Sequence, residues 1–270
     1  MISKLKTELQ IRGFSERTVR SYLFHNQKFL DFIEKQPDDI ITDDIKKYMA
    51  YLMVEKKQKP ASVNLALSAL RFLYDEMMKK SLFVDIKAPK NEKKLPTVLS
   101  KEEITSMIDS LNNKKHKLLI EFLYSSGLRV SECVNLKIED LSPNERMGIV
   151  KNGKGKKDRN IILSKKLVED IEKYLKKRKG ANLYVFDVRN THISIRQAQK
   201  IVHDAAKKAG IQKRVFCHAL RSSFATHLLE NGTDIRIIQE LLGHSNIQTT
   251  ERYTKVSTAQ LKKVISPFDT

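Results

Sequence analysis

The sequence predicts a mainly α-helical protein of two domains, with one small β-hairpin or sheet in the second domain. Three observations lead to this fold class. Apolar residues recur at helical spacing along most of the 270-residue chain. Residues 85–97 are rich in proline and lysine, lack that spacing and separate the two parts as a linker. Residues 147–163 alternate around a glycine-rich turn, which is typical of a β-hairpin.

The first part of the chain, residues 1–84, predicts a bundle of four short helices. Apolar side chains repeat at helical period in each of four segments. We expect Ser15 to cap the second helix, Thr42 to cap the third and Pro60 to precede the fourth. The segments are short enough to pack together around one small core.

The second part of the chain, residues 98–270, predicts further helices around the hairpin. Ser100 and Glu103 have the spacing of a capping box, so a helix is expected to begin at residue 101. The next helix is expected to end at Gly127, since glycine is favoured just past a helix C-terminus. Later helices are predicted at residues 165–178, 194–209, 218–231, 234–242 and 247–255.

The charge of the chain indicates a polyanionic partner. The formal net charge is +19, far beyond what solubility requires. Residues 1–90 carry 17 basic and 12 acidic side chains, and residues 91–270 carry 34 and 20, so both parts are basic. A lysine-rich solvated surface, as thermophile proteins show, is the alternative explanation.

Several classes of protein are disfavoured by composition. The two cysteines, Cys133 and Cys217, lack the spacing of a metal pair or a disulfide framework, so buried free thiols are expected. No apolar run approaches the roughly 18 residues of a membrane span. The N-terminus lacks the apolar core of a signal peptide. A soluble cytoplasmic protein is therefore expected.

Two motifs in the first half of the second domain place basic residues at turns. Residues 126–132 put Arg129 just past a helix end, with Glu132 three residues later. Lys154 lies between two glycines at the predicted hairpin tip. A structural ion pair and a solvated turn are the respective alternatives.

Two further motifs follow in the last third of the chain. His218 and Arg221 share one helix face near its N-terminus, where an anion is favoured, while Leu220 is expected on the opposite, core side. His244 follows a helix-ending glycine, and Tyr253 lies nine residues later on a short helix. Taken singly, each of these residues has an ordinary structural explanation.

The order and spacing of these motifs are far more specific than any one of them. The series Gly-Leu-Arg-x-x-Glu, Gly-Lys-Gly, His-x-Leu-Arg, Leu-Gly-His and Tyr resembles the tyrosine recombinase (phage integrase) family, most of all its Xer recombinases. The resemblance covers almost the whole chain. It implies a helical core-binding, SAM-like domain at residues 1–84, a catalytic domain at residues 98–270, and a clamp of both around DNA.

The resemblance also assigns the site residues. The six implied catalytic residues are Arg129, Lys154, His218, Arg221, His244 and Tyr253. The arginine pair matches the clamp on the scissile phosphate, Tyr253 the nucleophile, and Glu132 a supporting acidic position. Ser222 departs from the pattern, because many members have histidine there; a small effect is expected.

The residue types fit phosphodiester transfer. Two guanidiniums neutralise the non-bridging oxygens, and a tyrosine ester conserves the energy of the broken bond. His218 is the candidate base, Lys154 the candidate acid, and His244 a hydrogen-bond partner of the phosphate. No metal or nucleotide cofactor is expected, since the sequence shows neither a metal-ligand cluster nor a nucleotide-binding loop.

The expected partners are double-stranded DNA with palindromic half-sites and further copies of the chain. The tail, residues 258–270, has an apolar stripe of Leu261, Val264 and Ile265 that is too short to be stable alone. The resemblance implies that it packs on a neighbouring subunit in a tetramer; folding back on its own domain is the alternative.

The expected function is site-specific recombination through a 3′-phosphotyrosine, with a role in chromosome dimer resolution. The integrase of a mobile element and a type IB topoisomerase-like nicking-closing enzyme are alternatives. A DNA-binding protein without catalysis is disfavoured, because the implied catalytic set is intact.

Overall fold

The computed structural model describes residues 1–90, 95–151, 158–178, 182–244, 246–251 and 253. The chain divides into two compact units, Met1–Lys93 and Lys94–Thr270. Both units are mainly helical in the described residues, and the second contains two small antiparallel sheets. The predicted mainly α fold with a small sheet in the second domain is confirmed.

The first unit is a small bundle of helices. Its α-helices are α1 (Ile2–Ile11), α2 (Glu16–Ile33), α3 (Thr42–Ala50) and α4 (Pro60–Arg71). A 3₁₀ turn covers Pro37–Asp39, and α3 and α4 continue as π-helical segments at Tyr51–Glu55 and Phe72–Met77. Ser15 caps α2 as predicted, since its hydroxyl accepts the backbone N–H of Thr18.

The start of α3 differs from the prediction. Ile41 is the N-cap, and the carboxylate of Asp44 accepts the backbone N–H of Ile41 at 3.1 Å. The Thr42 hydroxyl instead donates to the carbonyl oxygen of Leu82 at 3.0 Å. The prediction that Thr42 caps this helix is therefore wrong, because a tertiary hydrogen bond uses its hydroxyl and Asp44 replaces it.

The chain remains attached to the first unit beyond residue 85, where the predicted linker begins. Ile86 is buried in the core of this unit together with Leu70 and Leu73. The amide of Asn64 donates to the carbonyl oxygen of Pro89 at 3.0 Å. These two contacts hold the first part of the proline- and lysine-rich segment against the bundle.

The second unit surrounds a larger core. Its helices are α5 (Lys101–Asp109), α6 (Lys114–Ser125), α7 (Val130–Val134), α8 (Lys165–Lys177), α9 (Ile195–Lys208), α10 (Cys217–Glu230), α11 (Ile235–Leu242) and α12 (Gln248–Glu251). Its strands are β1 (Leu141–Ser142), β2 (Met147–Val150), β3 (Arg159–Ile162), β4 (Asp187–Val188) and β5 (Thr191–His192). Short 3₁₀ turns cover Ile138–Asp140 and Pro143–Glu145.

The predicted hairpin is confirmed in its strands. β2 and β3 pair antiparallel from Met147↔Ile162 to Val150↔Arg159, and β1 adds a third strand on the other edge of β2. The sequence did not predict β1. Residues 152–157, which include Lys154 and the predicted hairpin tip, lie outside the described residues.

Local signals in the second unit were predicted correctly. The Ser100 hydroxyl accepts the Glu103 N–H, and the Glu103 carboxylate accepts the Ser100 N–H at 2.7 Å, which completes the capping box. Gly127 follows α6 with φ of +59°, where a Cβ would lie 2.4 Å from the ring of Phe224. Glycine is therefore required at this turn for both conformation and space.

The two cysteines are free and buried, as predicted. Burial raises the pKa of Cys217 to about 11 and that of Cys133 well above its ordinary value. Among the described residues, no helix combines the length and apolar character needed to cross a membrane.

Helix α10 differs from the predicted amphipathic helix. Leu220 is in the core as expected, but Arg221 and every residue from there to His227 are also buried. The helix packs against α6, α9 and α11, and small side chains such as Ala219 and Ala225 allow this close approach. His218 in the first turn remains exposed. His218 and Arg221 lie one turn apart near the start of α10, as predicted, but Arg221 is buried rather than exposed opposite the core, because neighbouring helices cover it.

Candidate active site

A buried carboxylate, Glu132, lies among three arginines of the described residues. Arg159 donates two parallel hydrogen bonds, from Nη1 to Oε1 at 2.8 Å and from Nη2 to Oε2 at 2.7 Å. Arg129 donates from Nη1 to Oε1 at 2.7 Å, and Nη1 of Arg221 lies 3.9 Å from Oε2. One negative charge facing three positive charges leaves a positive excess, which favours an anionic ligand.

The ionisation of Glu132 follows from this environment. Burial raises the pKa of its carboxyl, but the hydrogen bonds and charge of Arg159, with those of Arg129, outweigh burial and hold the pKa below its ordinary value. Glu132 is therefore a carboxylate at neutral pH.

The short helix α7 explains the spacing of Arg129 and Glu132. Arg129 is its N-cap, and its backbone N–H donates to Oε2 of Glu132 at 2.8 Å. Glu132 thus satisfies an unpaired N–H at the start of the helix and binds the side chain of the same residue. The ion pair suggested by the sequence is present, but it is one part of a larger cluster.

The C-terminus of α11 contacts the same arginines. Three consecutive carbonyl oxygens there each accept a hydrogen bond from a different arginine: Leu241 from Arg159 Nε, Leu242 from Arg221 Nη2 and Gly243 from Arg129 Nη2. The last carbonyls of a helix lack partners within it and carry partial negative charge. The end of α11 therefore holds the arginine cluster together with Glu132.

Arg221 is the most buried of these arginines, with a side chain only 1% exposed. Burial, and then the charge of Arg129, lowers its pKa to about 9. Its Nη1 also donates to the carbonyl oxygen of Gly127. Among the described residues its Nε has no hydrogen-bond partner, so one buried donor remains for a ligand.

His244 continues the cluster just past α11. Its Nε2 lies 3.2 Å from Nη2 of Arg221, and its Nδ1 lies 3.0 Å from the hydroxyl oxygen of Thr250. Burial, and then the charges of Arg221 and Arg129, lowers the pKa of His244 to about 3, so the ring is neutral at pH 7. An arginine only donates, so Nε2 accepts and we assign the proton to Nδ1.

Tyr253 lies beside His244. The ring centroids are 6.4 Å apart with the planes inclined by 20°, and Tyr253 is 4% exposed in an apolar cluster with Phe224 and Leu242. Its backbone N–H donates to the carbonyl oxygen of Thr250 at 3.0 Å. Helix α12 ends at Glu251, so Tyr253 lies in the following turn rather than within the predicted helix.

The structure thus brings together most of the residues singled out in the sequence. Arg129, Arg221, His244 and Tyr253 converge with Glu132, and His218 is close enough that its charge contributes to lowering the pKa of His244. Lys154 lies outside the described residues.

Two residues of the site were missed in the sequence. Arg159 was not singled out, yet its side chain is only 7% exposed. The alternation of β3 places it on the same face as the buried Ile161 and Leu163, a signal that it needed a buried partner. Thr250 is one of two adjacent threonines, and nothing in the sequence separates it from Thr249.

Ser222, where the motif pattern departs from the family, is also buried. It is 1% exposed, and among the described residues its hydroxyl has no hydrogen-bond partner.

A helical domain followed by a domain with this arginine, histidine and tyrosine cluster is the organisation of a tyrosine recombinase. Residues 97–260 match the phage integrase family, and residues 1–83 match the N-terminal SAM-like domain of phage integrases. Tyrosine recombinase XerA of Pyrococcus horikoshii is 39% identical over 267 residues, covering 98% of this chain and 92% of the relative. Tyrosine recombinase XerD of Listeria innocua is 35% identical over 281 residues, covering 95% and 94%.

A solved structure has the same fold. The XerH recombinase bound to a palindromic difH substrate, in a post-cleavage complex, superposes with a TM-score of 0.77 over 100% of this chain and 85% of that one, at 22% identity. At this identity the likeness establishes the fold alone. With the sequence matches, it follows that the chain belongs to the phage integrase family of tyrosine recombinases, enzymes that transfer DNA strands.

Proposed function

We propose that this protein is a site-specific recombinase that cleaves and rejoins DNA through a 3′-phosphotyrosine at Tyr253. The observation that carries the proposal is the convergence of Tyr253, His244 and the arginine pair Arg129 and Arg221 on one partly buried cluster. A cationic cluster beside a tyrosine provides both an anion site and a nucleophile.

The arginine pair binds the scissile phosphate. Arg129 is held on Glu132 and the end of α11, and Arg221 retains a buried Nε donor. Guanidiniums fixed in this way neutralise charge that grows on the non-bridging oxygens in the transition state, with little reorganisation. His244 is neutral, and in the tautomer with the proton on Nε2 it donates a hydrogen bond to the phosphate without adding charge.

The transfer itself proceeds in two balanced steps. The phenol oxygen of Tyr253 bonds to phosphorus, its proton goes to His218, and the bond to the 5′-oxygen breaks as Lys154 protonates that oxygen. The roles of His218 and Lys154 rest on the family resemblance. In the second step, the 5′-hydroxyl of another strand attacks the phosphotyrosine and gives its proton to Lys154, while His218 returns a proton to the departing phenol oxygen of Tyr253. The tyrosine ester conserves the bond energy.

The proposed partners are palindromic duplex DNA and three further copies of the chain. The formal net charge of +19 supports a polyanionic substrate, and the XerH neighbour was solved on a palindromic site. Two half-sites on each of two duplexes seat four protomers. The apolar stripe of residues 258–270 links each protomer to the next, which closes a cyclic tetramer.

The proposed role is resolution of chromosome dimers, as part of chromosome partition and cell division in the cytoplasm. The Xer names of the relatives support this role. Integration of a mobile element and nicking-closing of the topoisomerase IB type remain the alternatives.

Genome-wide mapping of covalent protein–DNA adducts tests both the chemistry and the role. Wild-type protein should yield adducts at one dominant palindromic site per chromosome, whereas sites at element ends would indicate integration. Tyr253→Phe should bind a suicide duplex of that site without forming an adduct, because the nucleophile is removed. Tyr184→Phe is the matched control and should retain adduct formation. A normal adduct yield from Tyr253→Phe would contradict the proposed nucleophile.

A further inference from the structure

Arg159 has the most complete set of hydrogen bonds of the clustered arginines, yet the proposed chemistry gives it no role. Both of its Nη atoms bind the same carboxylate, and its Nε donates to the Leu241 carbonyl oxygen at 2.9 Å. Its side chain is 7% exposed. These contacts leave it poorly placed to bind a phosphate itself.

We propose that Arg159 is a positioning residue, which neutralises Glu132 and thereby leaves Arg129 and Arg221 for the scissile phosphate. The inference rests on the proposed function of the site. It extends that function by a residue that acts through others rather than on the DNA.

The geometry around Glu132 supports this division of labour. The parallel pair of bonds from Arg159 occupies both carboxylate oxygens, so Arg129 needs only one Nη there and Arg221 stays 3.9 Å away. Without Arg159, a buried carboxylate would lose its main counter-charge. It would then attract the two remaining guanidiniums and weaken their hold on a phosphate.

Arg159 also fixes the end of α11. Its side-chain stem packs under Gly243, where an added Cβ would lie 2.8 Å from Cδ of Arg159. It binds the carbonyl oxygen of Leu241. The next two carbonyl oxygens, those of Leu242 and Gly243, bind Arg221 and Arg129. One side chain therefore contacts both the carboxylate and the helix end that orient the arginine pair.

Arg159 is the first residue of β3, five residues after Lys154 in the sequence. Lysine cannot replace it, because a single ammonium cannot bond both carboxylate oxygens and the Leu241 carbonyl in the same plane. Arg159→Lys keeps the charge and removes this geometry, which makes it the informative variant.

The test compares two substrates in single-turnover cleavage by the full-length protein, on the duplex recovered by adduct mapping. One substrate has the natural scissile phosphodiester, and the other has a methylphosphonate in which a methyl group replaces one non-bridging oxygen. The methylphosphonate is neutral, so its cleavage depends far less on charge neutralisation by the arginine pair.

Arg159→Lys should slow phosphodiester cleavage by about 100-fold and methylphosphonate cleavage by no more than about 10-fold, because misplaced guanidiniums matter most for the charged substrate. Equal losses on both substrates, or no loss on either, would overturn the proposal. Failure of the wild-type protein to cleave counts instead against the proposed function.

Arg178→Lys is the matched control. Arg178 is 6% exposed in the same unit, and it donates to the carbonyl oxygens of Tyr184 and Asn182, outside the site. This variant should lose stability without distinguishing the two substrates.

Glu132→Asp tests the same link if Arg159→Lys does not fold. The shorter carboxylate keeps its charge but cannot reach Arg159 and Arg129 together. The same selective loss on the phosphodiester is expected, and an unselective loss would again overturn the proposal.

Discussion

The hydroxyl oxygen of Thr250 lies 3.0 Å from Nδ1 of His244, three residues before Tyr253 in the chain. Thr250 is 1% exposed, so this contact is shielded from water. A hydroxyl both donates and accepts. In the tautomer assigned here, it therefore accepts a hydrogen bond from Nδ1–H. In the other tautomer, in which Nε2–H donates to a phosphate, it donates a hydrogen bond to Nδ1.

Thr250→Val should slow adduct formation by about 10-fold, because valine has a similar shape but no hydroxyl to hydrogen-bond to Nδ1 of His244 in either tautomer. Thr250→Ser should keep most of the activity, since it retains the hydroxyl. Thr249→Val is the matched control at the adjacent, exposed position and should behave as wild type. A wild-type rate for Thr250→Val on a suicide duplex would show that the contact does not orient His244.

The pKa of His244 predicts a pH dependence of stability. Burial lowers it from 6.5 in the unfolded chain to about 3 in the folded protein. Between those values the unfolded chain binds more protons, so the contribution of His244 to stability rises with pH up to 6.5 and is then constant. Below pH 6.5, acidification should therefore destabilise the protein.

Unfolding free energies measured from pH 4.5 to 7.5 check this prediction. His244→Gln should reduce the proton uptake on unfolding near pH 5 by about one proton, because it removes a group that titrates only in the unfolded chain. His203→Gln, at an exposed position of α9, is the matched control. An unchanged pH slope in His244→Gln would contradict a neutral His244 ring in the folded protein.

The sequence predicted those features that depend on local pattern. Helical period, the capping box of Ser100 and the hairpin strands required only neighbouring residues, and the structure has all three. The family motifs also named most of the clustered side chains. Thr42 failed as a cap because its hydroxyl bonds to Leu82, a contact 40 residues away that no local pattern contains.

Tertiary packing determined the rest of the site. Arg221 is covered because three helices surround α10, and Arg159 is drawn inward by a carboxylate 27 residues earlier in the chain. The alternation of β3 indicates that Arg159 is buried, but it does not indicate which side chain Arg159 binds. The positions of such residues depend on which partner the fold brings to them, and one sequence does not specify that partner.

Lys154→Ala should slow cleavage strongly, because this ammonium, between two glycines at the predicted hairpin tip, is the proposed donor of a proton to the 5′-oxygen. A substrate with sulfur in place of that bridging oxygen should restore much of the rate, since a thiolate leaves without a proton. Lys151→Ala, one residue past the end of β2, is the control and should show no such rescue. Equal slowing of Lys154→Ala on both substrates would remove Lys154 from the acid role.

Deleting residues 258–270 should leave binding to a single site nearly intact but reduce pairing of two sites and recombination. The apolar stripe of the tail is the proposed link between protomers. Leu261→Ser with Val264→Ser should reproduce the deletion, whereas Lys263→Ser, opposite the stripe on a helix, should not. Sedimentation of the protein on DNA, with a two-site recombination assay, measures both effects. Full-rate recombination by the truncated protein would contradict the tail's role.

Gly243→Ala should disturb both stability and cleavage. Gly243 has φ of +61°, and an added Cβ would lie 2.8 Å from Cδ of Arg159. That carbon cannot move aside freely, because the guanidinium beyond it is held by Glu132 and Leu241. The variant therefore either displaces Arg159 or bends the turn that leads to His244.

Gly210→Ala separates the clash with Arg159 from the cost of placing alanine at a positive φ. Gly210 has φ of +70° with nothing within 4 Å of an added Cβ, so its substitution should lose only the roughly 1–2 kcal/mol of a left-handed residue. Gly243→Ala should lose more stability in thermal unfolding and should also slow adduct formation, which Gly210→Ala should not. Equal destabilisation by the two variants, with normal cleavage in both, would show that the Arg159 side chain moves away from the added methyl group without disturbing Arg129 and Arg221.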